Sequence, residues 1–525
     1  MICVDLNEKS FEYDVRGLLT SFFPGEQISL TDEPGDGIIA AQGEPGADRP
    51  GTGDGGADDE FALDGDLTGK RLTVECSIEE GAVSLEWRSG SCFYSDRGEA
   101  RPGDRVALKG VLKRCLYELL VRDTGRELPW GTLTGIRPTH LVLQRLEEGQ
   151  SPEECRRIMR EYYLAGEEKT ELALEIAQLE YSLLKDLAAG PAAGENARPD
   201  LNVLCSQGYS LYIGIPFCPS RCLYCSFASQ PIDRWQGHLE RYIDALFAEL
   251  DLVKELFAGR KLHTVYIGGG TPASLSETEL GRLLDGVCAR FDVPALKEFC
   301  VEAGRPDTVT PEKFRVLRGH GVSRVSINPQ TMNQATLDLI GRRHTVEQVK
   351  EAFGMARETG FSNINMDIIL GLPGETEADV ENTLARITSL EPDALTVHTL
   401  ARKRASRLNT ERGSWDALPA GDTGAQMELA QAAARGMGMR PYYLYRQKNM
   451  TGNLENTGFS KPGLEGLYNI LMMEDAEDIA AAGAGTVSKR IFSDGTIVRS
   501  DNVKDPALYL ERLPEMLERK RGLFS

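Results

Sequence analysis

The sequence predicts an α/β chain organised around a partial (β/α)6 barrel, with an N-terminal α/β-plus-helical domain before it and a small C-terminal α+β domain after it. Three observations carry this prediction. Apolar, β-rich runs recur at 211–215, 264–268, 299–303, 323–327, 364–370 and 394–398. Helical patterns separate them, at 235–257, 276–290, 311–319, 333–340, 345–359 and 377–389. Such alternation builds a parallel sheet with helices outside. Six repeats are too few to close a complete barrel, so an open one is expected. Composition shifts on either side of the repeats mark the third observation, a chain of several domains: 1–190, a linker at 191–200, the core at 201–400 and a final part at 401–525.

The first element is a short strand, Ile2 to Leu6, followed by a helix through Phe22 and Phe23 that Pro24-Gly25 stops. Residues 32–68 are rich in Gly, Asp, Glu and Pro with few aromatics. They carry too little apolar surface to offset ordering entropy and read as a disordered acidic insertion. From Lys70 the period becomes two. Leu72, Val74, Cys76 and Ile78 alternate with polar residues, and after a Glu79-Glu80-Gly81 turn so do Val83, Leu85 and Trp87, which is the pattern of a β-hairpin. A helix from about Asp104 to Arg122 follows. The loop LPWGTLTGIRPTH contains Arg137 and His140, which read equally as surface and capping residues or as ligand-facing ones. Three amphipathic helices then run to about 189. Beyond 401 the pattern gives a helix near 420–436, a strand PYYLYRQ, a helix from Leu464 to Asp478 and a loop at 483–486. A hairpin around Asp494-Gly495 and a final helix at 506–521 complete the chain.

Composition narrows the function. At 525 residues the chain exceeds one core, and 41% hydrophobic content suffices for globular domains. No run approaches the ~18 apolar residues of a membrane span. The N-terminus lacks a basic stretch followed by an apolar core, so no signal peptide and a cytoplasmic location are expected. Eleven cysteines without framework spacing suit a reducing compartment. A net charge of −21 argues against extended nucleic-acid contacts.

The most informative stretch is YIGIPFCPSRCLYCSF, residues 212–227. It leaves the first apolar run and is forced into a loop by Pro216 and Pro219. Cys218, Cys222 and Cys225 stand in a C-x3-C-x2-C spacing. Three thiolates on one loop suit three corners of a [4Fe–4S] cluster and leave the fourth iron open to a small molecule. No fourth Cys or His in the loop completes a structural zinc site. Cys205, Cys288 and Cys300 read as ordinary buried thiols. After the second run comes Gly268-Gly269-Gly270-Thr271-Pro272, where glycine lets backbone N–H groups approach a ligand. It lacks the GKS/T ending of a phosphate loop. Glu302 ends the third run. Asp367 interrupts the otherwise apolar fifth run, where a buried acid is costly unless paired.

CxxxCxxC after a first strand, GGGTP after a second and six βα units resemble the radical S-adenosylmethionine (SAM) enzymes. Within them the chain resembles the oxygen-independent coproporphyrinogen III oxidase family, in its coproporphyrinogen dehydrogenase HemZ branch. The resemblance spans about 205–400 and extends to the C-terminal YRQKN stretch and the N-terminal third. It implies that Cys218, Cys222 and Cys225 hold the cluster and that SAM chelates its open iron. It places Tyr212, Tyr224, Gly269, Gly270 and Thr271 along SAM, with Glu302 on one of its polar groups. Gln330 and Arg342, twelve residues apart, match the family's spacing, and Arg342 would meet a carboxylate. Asp367 joins the same set, and Gly371 and Gly374 shape the loop after the fifth strand. The implied reaction starts with an electron from a flavodoxin- or ferredoxin-type donor. SAM is then cleaved, and its 5′-deoxyadenosyl radical takes hydrogen from propionates of coproporphyrinogen III, where loss of CO2 and an electron leaves a vinyl group. Arg402, Arg404 and Arg407 are candidates for the propionates by position only. No catalytic side chain is assigned.

Two positions depart from the family pattern. Phe227 stands where characterised oxidases carry a further cysteine, and Gly214 where they carry a histidine. Both bear on the reaction centre, and neither is a cluster or SAM ligand. A second reading is the related HemW branch, a haem-binding chaperone that also lacks the extra cysteine. A third, an RNA-modifying radical SAM enzyme, conflicts with the acidic charge.

Overall fold

The computed structural model describes residues 1–31, 69–135, 137–189, 204, 207–227, 229–401, 406–411, 413, 415, 418, 421–447 and 450–525. The expected acidic insertion at 32–68 and linker at 191–200 lie outside them, as do Arg402, Arg404 and Cys205. The chain forms two compact units, Met1–Thr134 with Arg157–Glu167 and Gly135–Arg156 with Glu168–Ser525.

The first unit is built on a five-stranded sheet. Strands β1 (Ile2–Leu6), β2 (Ile28–Thr31), β3 (Lys70–Ser77), β4 (Ala82–Ser89) and β5 (Cys92–Glu99) take the order β2-β1-β3-β4-β5. β1 runs parallel to β2 and β3, while β3, β4 and β5 form an antiparallel meander. The period-two residues Leu72, Val74, Leu85 and Trp87 point into the core, beneath helices Glu12–Phe22 and Arg105–Thr124. Asp104 caps the second helix by accepting from the Ala107 N–H at 2.9 Å. β5 was not foreseen because its side chains are half-buried or exposed throughout and carry no apolar alternation.

The second unit carries an eleven-stranded sheet. The six expected strands are β6 (Gly208–Ile215), β7 (Lys261–Gly269), β8 (Glu298–Glu302), β9 (Arg324–Ser326), β10 (Ile364–Leu370) and β11 (Ala394–Thr399). They lie side by side in chain order and are parallel throughout. The helices between them start where the sequence marks them. Ser276 with Glu279, Thr345 with Gln348 and Thr376 with Asp379 form capping boxes. Their apolar faces and both faces of the strands make one continuous core.

Five further strands extend this sheet beyond the expected six. They are β12 (Arg440–Tyr445), β13 (Asn456–Ser460), β14 (Asp478–Ala482), β15 (Val487–Ile491) and β16 (Ile497–Asp501). The order is β12-β13-β11-β10-β9-β8-β7-β6-β14-β15-β16, and among the described residues the ladder is open at β12 and β16. β13 adds antiparallel to β11, and β14 adds parallel to β6. Strands from 401–525 therefore share the sheet of 201–400.

The expected helix from Leu464 to Asp478 is a correction. It spans only Leu467–Met473, and the chain turns at Asp475, whose φ is +50°, before entering β14. Ala480 to Ala482 have high helix propensity, but pairing with β6 overrides it. A buried acid fixes this end of the sheet. Glu249 accepts from the Gly483 N–H at 2.7 Å, Asn502 Nδ2 at 2.8 Å, the Tyr509 hydroxyl at 2.5 Å and Lys520 Nζ at 2.6 Å.

Candidate active site

A cavity of about 750 Å³ opens at the C-terminal ends of the parallel strands. The site residues foreseen from the sequence all line it: the three cysteines, Tyr212, Tyr224, Gly269, Gly270, Thr271, Glu302, Gln330, Arg342 and Asp367. Parallel α/β sheets collect ligands at this end because each strand delivers its following loop there. Gly371, Gly374 and Arg407 are not part of the lining. Arg407 is instead paired with Glu411 at 2.8 Å.

The cysteine loop is pinned by backbone bonds on both flanks. The Thr271 N–H donates to the Phe217 carbonyl at 2.8 Å, and the Gly270 N–H to the Ile215 carbonyl at 2.8 Å. Leu223 N–H reaches the Ile340 carbonyl at 2.9 Å, and Gln230 N–H the Pro216 carbonyl at 2.8 Å. Cys218 Sγ lies 3.4 Å from Thr271 Oγ1, and burial pushes its thiol up to about 11. Arg305, absent from the sequence reading, reaches Cys222 Sγ at 3.8 Å and Ser220 Oγ at 3.3 Å while a fork of bonds ties it to Asp307. A fixed cation beside the loop favours thiolate over thiol. Its only signal in the sequence was its place three residues past Glu302. Among the described residues no three acidic, cysteine or histidine side chains converge on a single metal ion. A cubane cluster takes one thiolate at each of several irons, so thiols spread along one loop suit it better than a lone zinc ion.

Across the cavity, Arg342 donates to the Tyr224 hydroxyl at 3.1 Å and to the Gly304 and Asn328 carbonyls at 2.7 and 2.5 Å. Its Nε has no partner, and neither do the buried Gln330 Oε1 and Asn328 Oδ1. Each such orphaned buried polar atom costs about 1–3 kcal/mol until a partner satisfies it. Gln330 is held in the left-handed region, at φ +68°, by bonds in which its N–H reaches the Asp367 carbonyl and its carbonyl accepts from Ile369. Strain of this kind persists where the surroundings over-determine it.

Two carboxylates face the same space with opposite behaviour. Burial raises Glu302 to about 7, although the Tyr266 hydroxyl donates to it at 2.7 Å. Burial also raises Asp367, but His398, 3.6 Å away, and Asn365, at 2.7 Å, outweigh it and hold the group below its ordinary value. The acid that interrupts the fifth strand is thus paired, by a histidine and an amide the sequence reading did not single out. Tyr266, Tyr468, Tyr443 and Tyr445, missed by that reading, join the foreseen Tyr212 in the lining. Tyr266 and Tyr468 stack at 4.6 Å, Tyr212 lies 5.9 Å from Tyr266, and Tyr443 stacks on Tyr445 at 6.3 Å. Cys300 is buried as expected but lines the cavity, whereas Cys288 is exposed, because it falls in the last turn of a surface helix.

The structure gives a reason for Gly214. A Cβ there would lie 2.4 Å from Thr486 Cγ2, on the loop after β14. Gly214→Ala is therefore expected to destabilise the chain by about 1–3 kcal/mol through overpacking. Adding Thr486→Ser removes the opposing methyl but keeps the hydroxyl bond to the Gly483 carbonyl at 2.8 Å. Thermal melts should show the double variant recovering most of the loss. Equal melting temperatures for the single and double variants would contradict this packing.

A family model for the radical SAM superfamily matches residues 212–387. Over 457 residues the chain is 37% identical to the oxygen-independent coproporphyrinogen-III oxidase-like protein HemZ of Bacillus subtilis, covering 86% of this chain and 87% of the relative. It is 34% identical over 286 residues to the heme chaperone HemW of Lactococcus lactis, covering 53% of this chain and 68% of that one. The solved structure of the radical SAM enzyme coproporphyrinogen III oxidase HemN from Escherichia coli matches 64% of this chain and 78% of its own, at 25% identity and a TM-score of 0.50. The chain belongs to the radical SAM superfamily and, within it, to the oxygen-independent coproporphyrinogen-III oxidase-like family.

Proposed function

We propose that this chain carries out oxygen-independent oxidative decarboxylation of coproporphyrinogen III to protoporphyrinogen IX, using a [4Fe–4S] cluster and SAM. The observation that carries the reading is the convergence of the cysteine loop, the glycine turn, the orphaned polar atoms and the stacked tyrosines on one cavity at the strand ends. The similarity to HemZ, over 86% of this chain, supports it over the shorter match to HemW, over 53%.

When bound, the cluster and SAM supply one-electron cleavage of SAM and hydrogen abstraction. The chain's residues hold and orient. Cys218, Cys222 and Cys225 would hold three corners of the cluster, with Arg305 beside them. The backbone at Gly269 and Gly270 approaches SAM without a Cβ in the way. Arg342 Nε, Gln330 Oε1 and Asn328 Oδ1 would take its polar groups, with Asp367 held charged next to Gln330, whose N–H donates to its carbonyl. The tyrosine wall takes the flat face of the tetrapyrrole and excludes water. A flavodoxin- or ferredoxin-type protein delivers the electron.

Glu302 gives the site a pH dependence. Its carboxyl loses its proton as pH rises through about 7, and the anion then accepts from the ammonium or hydroxyl groups of SAM. The sign for folding is the reverse. Between its unfolded and folded values the folded chain holds a proton the unfolded chain has released, so its contribution to stability falls as pH rises to about 7. SAM affinity measured by equilibrium dialysis should strengthen between about pH 6 and 8 in the native chain and stay flat in Glu302→Gln. A parallel slope in both proteins would remove Glu302 from this role.

Anaerobic turnover tests the function itself. Reconstituted protein given SAM, a reductant and coproporphyrinogen III should release CO2 and form vinyl porphyrin. The second reading, a haem carrier, is favoured by Phe227, which is 61% exposed at the cavity lining where characterised oxidases have a cysteine. Stoichiometric haem binding without CO2 release would decide for it.

A further inference from the structure

The C-terminal hairpin brings two cations to the cavity wall. Lys489 on β15 and Arg499 on β16 are direct cross-strand partners, and both line the cavity. Like charges directly opposite on a ladder are unfavourable unless an anion lies between them. Lys489 is 6% exposed. Its ammonium donates to Asp475 Oδ1 at 2.6 Å and to the Met472 carbonyl at 3.0 Å, which leaves one of its three donors unused.

The local acid is already shared. Asp475 Oδ2 also pairs with Arg137 Nη1 at 2.5 Å, so the loop arginine in GIRPTH serves to hold this carboxylate. The neighbouring Glu474 turns instead to His140, at 2.6 Å. Arg499 has neither an ion pair nor a side-chain hydrogen bond among the described residues, and Asp501, two residues on, makes no pair with it. Burial, with the charges of Arg137 and Arg499, holds Lys489 below its ordinary range against the pull of Asp475. Two cations thus share one carboxylate, and the third, Arg499, has no acid of its own, while both hairpin cations line the cavity that Tyr266 and Tyr468 also line.

We propose that Lys489 and Arg499 form a carboxylate-binding subsite that clamps one propionate of the tetrapyrrole against the tyrosine wall. This inference rests on the proposed function, since the same cavity is read there as the tetrapyrrole site. An ammonium and a guanidinium side by side offer donors from two directions, and charge-assisted bonds of this kind are the strong ones. Thr486 and Val487, which also line the cavity, carry the chain from the end of β14 into the hairpin. The carboxylate of SAM has the same chemistry, so the test must tell the two apart.

Coproporphyrin III, the stable oxidised analogue, can be titrated into the anaerobically reconstituted full chain and followed by its absorbance, with SAM affinity measured in parallel. Arg499 is exposed, so its substitution leaves the fold intact. Arg499→Gln should weaken porphyrin binding by about tenfold, Arg499→Glu by more, and Arg499→Lys by little, with SAM affinity unchanged throughout. Equal porphyrin binding by all four proteins would overturn the clamp while leaving the proposed function standing. Loss of SAM affinity in Arg499→Gln, with porphyrin affinity retained, would assign the clamp to SAM and overturn it as proposed. Failure of the native chain to bind porphyrin would overturn the porphyrin reading, and the clamp with it.

Discussion

Cys222→Ala abolishes the brown absorbance of reconstituted protein and lowers SAM cleavage by roughly 10³-fold or more, because residues that act as one unit fail together. Cys222 is the middle thiol of the loop, only 7% exposed, and the one that Arg305 reaches. Two remaining thiolates cannot hold a cluster with one open iron. The effect on folding is small by comparison, about 1 kcal/mol, since only a sulfur atom is removed from a buried site. Cys300→Ala is the matched control. That thiol lines the same cavity and is 1% exposed, but it sits on β8, away from the loop. It should keep a full complement of iron and sulfide. A Cys222→Ala protein with the native iron content and spectrum would remove the cluster from this loop.

The second large effect belongs to Gly270. A Cβ at this position would lie 2.5 Å from the Phe217 carbonyl oxygen and 2.9 Å from that of Ile215. Both are backbone atoms that already accept bonds from Thr271 and Gly270, so no rotamer change relieves the contact. The glycine turn must move away from the cysteine loop. Gly270→Ala is expected to cost about 1–3 kcal/mol of stability. It should also weaken SAM binding by ~10-fold or more, since the turn that lies along SAM is displaced from the cysteine loop. Gly237→Ala, where nothing lies within 4 Å, is the control. Calorimetric titration with SAM checks both. Native SAM affinity in Gly270→Ala would show that the close packing of turn and loop is not what forms the site.

Much of this arrangement was legible because it rests on local signals. The six parallel strands are apolar runs buried on both faces, and the helices after all but the first of them start at a Ser, Thr, Asn or Asp cap. The cysteine spacing and glycine run are contiguous motifs. What stayed hidden depends on contacts between distant segments. β14 is an alanine run with no period, and only its pairing with β6 makes it a strand. Asn456–Ser460 is likewise short, small and buried at every residue. Arg305, His398 and Tyr468 look like ordinary helix-cap, strand and helix residues until the sheet brings them to one cavity. Gly214 reads as a departure from the family pattern in the sequence, and its meaning, room for Thr486, comes from a loop 272 residues away. Arg137 and His140 were open between surface and ligand roles. The structure pairs them with Asp475 and Glu474, behind the cavity wall.

On the proposed function, the 5′-deoxyadenosyl radical released from SAM in this cavity takes hydrogen from a propionate. Coproporphyrinogen III deuterated at the propionate methylene next to the ring tests it most directly. Incubated anaerobically with the reconstituted chain, SAM and a reductant, it should give 5′-deoxyadenosine that carries deuterium, together with CO2 and vinyl porphyrin. Deuterium-free 5′-deoxyadenosine with the porphyrinogen recovered intact would contradict the account.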